Sequence, residues 1–171
     1  MAASEPAATA KAEERTGAIE VDRAQAGAMA PIARFNGPNG APARLVEFRG
    51  KPVLVNLWAT WCGPCVKELP TLDRLAAREG DALQVVTVSQ DSDGDDGTAR
   101  AKVDRFFAEK GYRNLRPFVD AENAMMTELG IGTLPTSILY DAQGREVWRY
   151  VGDAEWDGTA AAALLREARP G

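Results

Sequence analysis

Apolar positions along this chain follow two rhythms. Val53 to Trp58, "VLVNLW", is an apolar run interrupted only by Asn56, the pattern of a strand buried on both faces. From Gly63 to about Arg78 the apolar residues Val66, Leu69, Leu72, Leu75 and Ala76 recur at helical spacing. Leu83 to Ser89, "LQVVTVS", reads as a second buried strand, so the three elements form a β-α-β unit whose crossover implies parallel pairing. A loop, "QDSDGDDGT", follows, and the pattern then predicts a helix with Thr98 as N-cap, Val103, Phe106 and Phe107 on its apolar face, and an end near Gly111. Short elements are expected at Pro117 to Val119 and Glu122 to Leu129, with Gly130 as a helix stop. "TSILYDAQGREVWRYVG" alternates around an Asp-Ala-Gln-Gly turn and predicts an antiparallel hairpin, and a last helix is expected over Trp156 to Ala168. The order predicts an α/β fold in which a central mixed β-sheet is flanked by helices.

Upstream, the rhythm fades. Pro31 to Lys51 carries Gly-Pro and Asn-Gly pairs that mark turns. Residues 1–28 are rich in Ala and charge and poor in large apolar side chains, so they read as a flexible N-terminal tether, leaving 29–171 as the folded domain. The tether lacks the hydrophobic stretch of a signal peptide, and no apolar run in the chain approaches the roughly 18 to 20 residues that span a bilayer.

Charge and composition remove several function classes. A net charge of -5 with no concentration of Lys and Arg argues against a nucleic-acid partner. Histidine is absent, which removes the usual general base, the commonest metal ligand and every Ser-His or Cys-His arrangement. The acidic loop invites a calcium reading and fails it: with Asp91 as position one of an EF-hand, Asp96 stands where Gly is required and Lys102 where the bidentate Glu belongs. It reads instead as a solvated loop.

The two cysteines, Cys62 and Cys65, stand at the predicted strand-to-helix junction in "WCGPC". A Cys-x-x-Cys on the first turn of a helix keeps both side chains on nearly one face, so a disulfide can close and reopen with little backbone movement. Unpaired N–H groups and the positive end of the helix dipole stabilise a thiolate on the first cysteine. Pro64 sits where a helix tolerates proline, and Gly63 leaves room for another chain to approach. Three alternatives stand beside a redox pair. A staple over two intervening residues closes too small a loop to stabilise much. Structural zinc needs four ligands, twice what one chain offers here. Cu(I) capture, with Met125 and Met126 as added soft ligands, is chemically open, although those methionines also suit the core of a short helix.

At these residues the sequence resembles the thioredoxin superfamily, and within it the TlpA/ResA-type thiol-disulfide reductases, over roughly Pro31 to Ala168. The resemblance implies that Cys62 attacks a substrate disulfide, that Cys65 resolves the mixed disulfide, and that the pair needs no other cofactor. It makes Pro70 the helix-kinking proline. "GTLPTSILYD" resembles the superfamily's cis-proline segment, which implies a cis Pro135 facing the cysteines and substrate contact through Thr133 and Leu134, with Trp61 and Gly63 on the same surface. Thioredoxins proper carry a buried Asp in the strand before the motif, where this chain has Asn56. Glu68 matches a Glu of the TlpA/ResA type, which implies an acid able to take the Cys65 proton, with a raised pKa if desolvated; an exposed helix Glu is the alternative. Trp58 suits core packing, and "YVGDAEW", Tyr150 to Trp156, is similar to the TlpA branch.

The Gly-Pro pair between the cysteines resembles thioredoxin and so implies a reductase. The family implies action in the periplasm by an exported or membrane-anchored monomer, recharged by a membrane thiol reductant of the DsbD/CcdA kind. Its implied substrates are protein disulfides: copper-site cysteines of cytochrome oxidase or of its Sco-type assembly protein, or apocytochrome c. A Cu(I)-binding chaperone on the same scaffold is the alternative.

Overall fold

The computed structural model describes residues 18–92 and 96–169. Seven strands form one sheet in the order β2-β1-β5-β4-β3-β6-β7: β1 Phe35–Asn36, β2 Pro42–Ala43, β3 Val53–Trp58, β4 Gln84–Ser89, β5 Phe118–Val119, β6 Thr136–Tyr140 and β7 Glu146–Val151. β3, β4 and β5 run parallel, whereas β6 lies antiparallel to β3 and β7 antiparallel to β6. Helices α1 Gly63–Glu79, α2 Asp96–Lys110, α3 Ala124–Leu129 and α4 Thr159–Leu165 connect or follow them. This is the expected mixed sheet flanked by helices.

Alternation along β3 splits the core in two. Leu54 and Trp58 join Leu69, Leu72 and Leu75 of α1, Val103 and Phe107 of α2, and Trp148 and Trp156, in one cluster. Val53, Val55 and Leu57 belong to the other, with Phe35, Val86, Phe118 and Met125. Asn56 therefore shares the face of Leu54 and Trp58, toward α1. The α1 residues that are buried, Cys65, Glu68, Leu69, Thr71, Leu72 and Leu75, trace one helical stripe, and Pro70 stands inside the helix, where it lacks the N–H that would bond the Val66 carbonyl.

Three expectations need correction, and the turn reading of Pro31–Lys51 needs extension. α2 begins at Asp96, so Thr98 lies in its first turn and is not the N-cap. The last helix starts at Thr159 after Gly158, and Trp156 precedes it as a buried turn residue. The Pro31–Lys51 stretch holds two short strands, β1 and β2, which extend the sheet beyond β5. The tether boundary at residue 28 falls inside ordered backbone: Asp22 and Arg149 exchange N–H···O bonds of 2.8 and 2.9 Å, and Gly27 and Ala30 donate to the Glu146 and Gly144 carbonyls. Residues 18–30 thus strap the β7 edge with Ile19 and Val21 packed on the core, a pairing made by backbone groups that composition does not reveal. Residues 1–17 of the proposed tether lie outside the described residues.

Candidate active site

Buried β3 ends at Trp58, and the chain turns through Ala59 and Thr60 into α1, whose N-cap is Cys62. The turn is closed by the Cys62 N–H donating to the Ala59 carbonyl at 3.1 Å. Cys62 and Cys65 form a disulfide with Cα atoms 5.3 Å apart. The two sulfurs differ in surroundings. Cys62 keeps 6% exposure while Cys65 has none, and the Cys65 N–H donates to Cys62 Sγ at 3.3 Å. That bond and the α1 N-terminus favour negative charge on Cys62 once the pair is reduced. Only the outer sulfur is open to attack or to a partner.

Trp61 is 70% exposed, whereas Trp58 is wholly buried against Phe106 and Phe107, as its core assignment expects. The Leu134–Pro135 bond is cis. β6 pairs with β3 so that Leu57 faces Thr136, which sets Pro135 at the sheet end from which Cys62 departs. Thr133 is exposed, Leu134 is half-buried, and Thr136 Oγ1 donates to the Thr133 carbonyl at 2.7 Å. Trp61, Gly63, Thr133 and Leu134 are thus exposed or half-buried, and the Cys62 loop and the 133–134 segment share one end of the sheet.

Beneath Cys65, one helical turn on, Glu68 is 1% exposed. Its carboxyl has no cationic partner among the described ion pairs. Oε1 accepts from Asn56 Nδ2 at 2.6 Å, and Oε2 accepts from Trp156 Nε1 at 2.8 Å and from the Ala154 N–H at 3.1 Å. Asn56 Nδ2 also donates to Ser137 Oγ at 2.9 Å. Burial outweighs these three donors and pushes the Glu68 pKa up to about 7. A cleft of about 390 Å³ lined by Lys67, Glu68, Thr71, Tyr150, Asp153 and Ala154 runs up to this carboxyl. The "YVGDAEW" stretch thus supplies the Glu68 cradle, and Asn56 takes up space and hydrogen bonds without bringing a second acid.

One residue of the site was not legible beforehand. Asp91, read as the first of a solvated acidic loop, is wholly buried and bonded to Thr60, two residues before Cys62. Met125, proposed as a soft ligand, is buried in the second core cluster and Met126 packs against it. Among the described residues no three Cys, Asp or Glu side chains gather as a metal site. No described helix is long and apolar enough to cross a membrane.

A family profile for redoxins matches residues 25–165. The chain belongs to the redoxin family. It is 30% identical over 122 residues to the thiol-disulfide oxidoreductase ResA of Geobacillus thermodenitrificans, a match covering 70% of this chain and 65% of that protein, just under two thirds of its length. Among solved structures, the exposed lipoprotein thioredoxin of Streptococcus pneumoniae is 31% identical with a TM-score of 0.66, covering 79% of this chain and 98% of that one. A DsbE-type thiol:disulfide interchange protein of Chlorobium tepidum gives 27% and 0.69, covering 84% and 96%. ResA of Bacillus anthracis is likewise 30% identical, over 132 residues that cover 77% of this chain and 73% of that protein, so this redoxin is a thioredoxin-fold protein of the ResA/TlpA type, a thiol-disulfide oxidoreductase with a redox-active Cys62–Cys65 disulfide.

Proposed function

We propose that this redoxin reduces protein disulfides outside the cytoplasm, with Cys62 as nucleophile, Cys65 as resolving thiol and Glu68 as proton acceptor. In the reduced protein the Cys62 thiolate attacks one sulfur of a substrate disulfide. The substrate S–S bond breaks, one substrate sulfur leaves as a thiolate that is protonated by solvent, and a mixed disulfide forms on Cys62. Cys65 then passes its proton to the Glu68 carboxylate and attacks the Cys62 sulfur. The second substrate thiol is released, and Cys62 and Cys65 are left joined as in this structure. Two electrons move from the dithiol to the substrate; Glu68 returns the Cys65 proton to solvent through the cleft, and the two substrate thiolates take up two protons from solvent, matching the two that Cys62 and Cys65 gave up. Thr133 and Leu134 offer the backbone, and Trp61 and Gly63 the open edge, on which a substrate strand lies.

The observation that carries this reading is the asymmetry of the pair: an N-cap sulfur at the surface and a buried sulfur over an acid poised near neutrality. A general base works best when its pKa lies near the operating pH. The Gly63-Pro64 spacer supports a potential near the roughly -270 mV of thioredoxin rather than the roughly -120 mV of DsbA, and hence the reducing direction. That the similar pneumococcal thioredoxin is an exposed lipoprotein supports an extracytoplasmic site, and within it a periplasmic, exported or anchored protein recharged by a DsbD/CcdA-type reductant. On this reading it serves copper-site cysteines of cytochrome oxidase or a Sco-type protein, ahead of apocytochrome c.

The test is a trap. Cys65→Ser, exported in the native host, should hold substrates as mixed disulfides on Cys62, with the double Ser variant as control. Oxidase or Sco-type proteins support the copper-site role, and apocytochromes replace it with haem maturation. A trap no richer than the control, together with insulin reduction that survives Cys62→Ser, would falsify the reductase reading.

A further inference from the structure

The loop from Ala59 to Cys62 must hold Trp61 in solvent and start α1 on Cys62; its two ends are buried in the core, whereas Thr60 and Trp61 between them are not. Its tie to the sheet is Asp91, just past the end of β4. Asp91 Oδ2 accepts from the Ser89 hydroxyl at 2.5 Å and from the Thr60 N–H at 2.9 Å, while Oδ1 accepts from the Thr60 hydroxyl at 2.5 Å. Ser89 Oγ in turn accepts the Asp91 N–H at 3.0 Å, and the Gln90 N–H donates to the Trp58 carbonyl at 2.6 Å. Both oxygens are occupied by donors, as a buried carboxyl requires, and no ion pair to Asp91 exists among the described residues.

Nothing in the exchange chemistry uses this group, and the fold does not need an acid there: β4 is already paired with β3 through Trp58 and Ser89. Two of its three carboxylate bonds run to Thr60, the residue before Trp61, and the third anchors it to Ser89 at the end of β4. Resting on the reductase reading, we infer that Asp91 is a positioning residue of the redox site, a clamp that through Thr60 fixes the Trp61–Cys62 edge against which a protein disulfide docks. The Cys62 sulfur itself is served by its own helix, through the Cys65 N–H, and does not depend on the clamp. A small disulfide needs that sulfur alone. A protein disulfide needs the sulfur, Trp61 and the 133–134 backbone in register, where a displacement of about 1 Å can cost on the order of 100-fold.

The experiment compares reduced wild type, Thr60→Val, Thr60→Ser and Asp91→Asn, with kcat/KM for insulin and for a small aromatic disulfide, and with hydrogen exchange of the Thr60 and Cys62 amides. Thr60→Val should lower insulin turnover about tenfold while the small disulfide changes less than about twofold, a split that lost stability alone does not produce. Thr60→Ser restores both donors and should follow wild type. The two loop amides should exchange at least about tenfold faster in Thr60→Val, with α1 amides unmoved. Asp91→Asn, if it folds, repeats the Thr60→Val pattern; if it does not, Thr60→Val decides. Equal losses on both substrates, or loop amides as protected as in wild type, overturn the clamp. Wild type that spares insulin yet reduces the small disulfide would instead overturn the reductase reading, and the amide exchange would still judge the clamp.

Discussion

Two of the described glutamates, Glu68 and Glu146, are buried, and they are buried differently. Glu146 opens β7 at the sheet end away from the disulfide, since it pairs with Tyr140, which in turn pairs with Val53 at the start of β3. Its carboxylate is held by Arg149, Nη2 to Oε1 at 2.7 Å and Nε to Oε2 at 2.9 Å, a two-point ion pair. Glu68 has three neutral donors and no cation, and its pKa stands at about 7. A bidentate guanidinium offsets the burial of a carboxylate with two charge-assisted hydrogen bonds, and a structural role needs nothing else. Neutral donors only partly offset desolvation, so the acid keeps a proton it can give up near neutrality. The same residue type is thus locked at one end of the sheet and titratable at the other, and the titratable copy lies under the redox pair.

The largest effect comes from breaking the locked copy. Arg149→Met leaves Glu146 buried without its partner, and chemical denaturation should report a loss of about 3 kcal/mol, the low end for a severed buried pair because Arg149 keeps some exposure. Replacing both, Glu146→Leu with Arg149→Met, should recover most of that loss. Insulin reduction per folded molecule should be unchanged in both. A fall in turnover at full folding would couple this end of the sheet to the chemistry and end the comparison.

Glu68→Gln tests the other copy through its pH dependence. The native pKa lies above the unfolded value, so the folded protein binds the extra proton between them. The contribution is complete below about pH 4.5 and is lost as pH rises to about 7, a change of about 3 kcal/mol, flat above that. Denaturation curves at pH 5 and pH 8 should show this slope in wild type and not in Glu68→Gln. Resolution of the mixed disulfide by Cys65 should slow by about 100-fold at pH 7 in the variant and lose its midpoint near 7. A wild-type slope that survives the substitution would assign it to another group.

What could be read ahead of the structure follows from how far each bond reaches along the chain. β3, α1 and the cysteines are local: an apolar run, a helical stripe and a turn within residues 53–79. Glu68 was legible as a position because it stands three residues past Cys65. Its burial was not, since Trp156 and Ala154 reach it from 88 and 86 residues away. Asp91 was misread as solvated because the Thr60 that claims it lies 31 residues earlier and the stretch it opens, "DSDGDDG", is rich in acids and glycine. The strap at 18–30 was misread because backbone pairing to β7 leaves no side-chain signature.

The smallest effects sharpen the titratable copy in opposite directions. Trp156 Nε1 is the leading donor that holds the Glu68 pKa down, so Trp156→Phe, which keeps a ring near Trp148 and Tyr150, should raise the midpoint of the Cys65 step above 7. A hydrogen bond to a charged group is worth about 1.5 to 3 kcal/mol, which bounds the rise at roughly one to two pH units. Asp153 acts the other way: its charge beside the cleft pushes the Glu68 pKa up, as the weakest of the causes. Asp153→Asn should therefore lower the midpoint by a few tenths of a unit, less at high salt, because an exposed charge is screened. Global stability separates the two, since Trp156→Phe also opens space in the core while Asp153→Asn changes a surface side chain. If the two variants shifted the midpoint in the same direction, the group titrating in the Cys65 step would not be Glu68, whatever the stability data said.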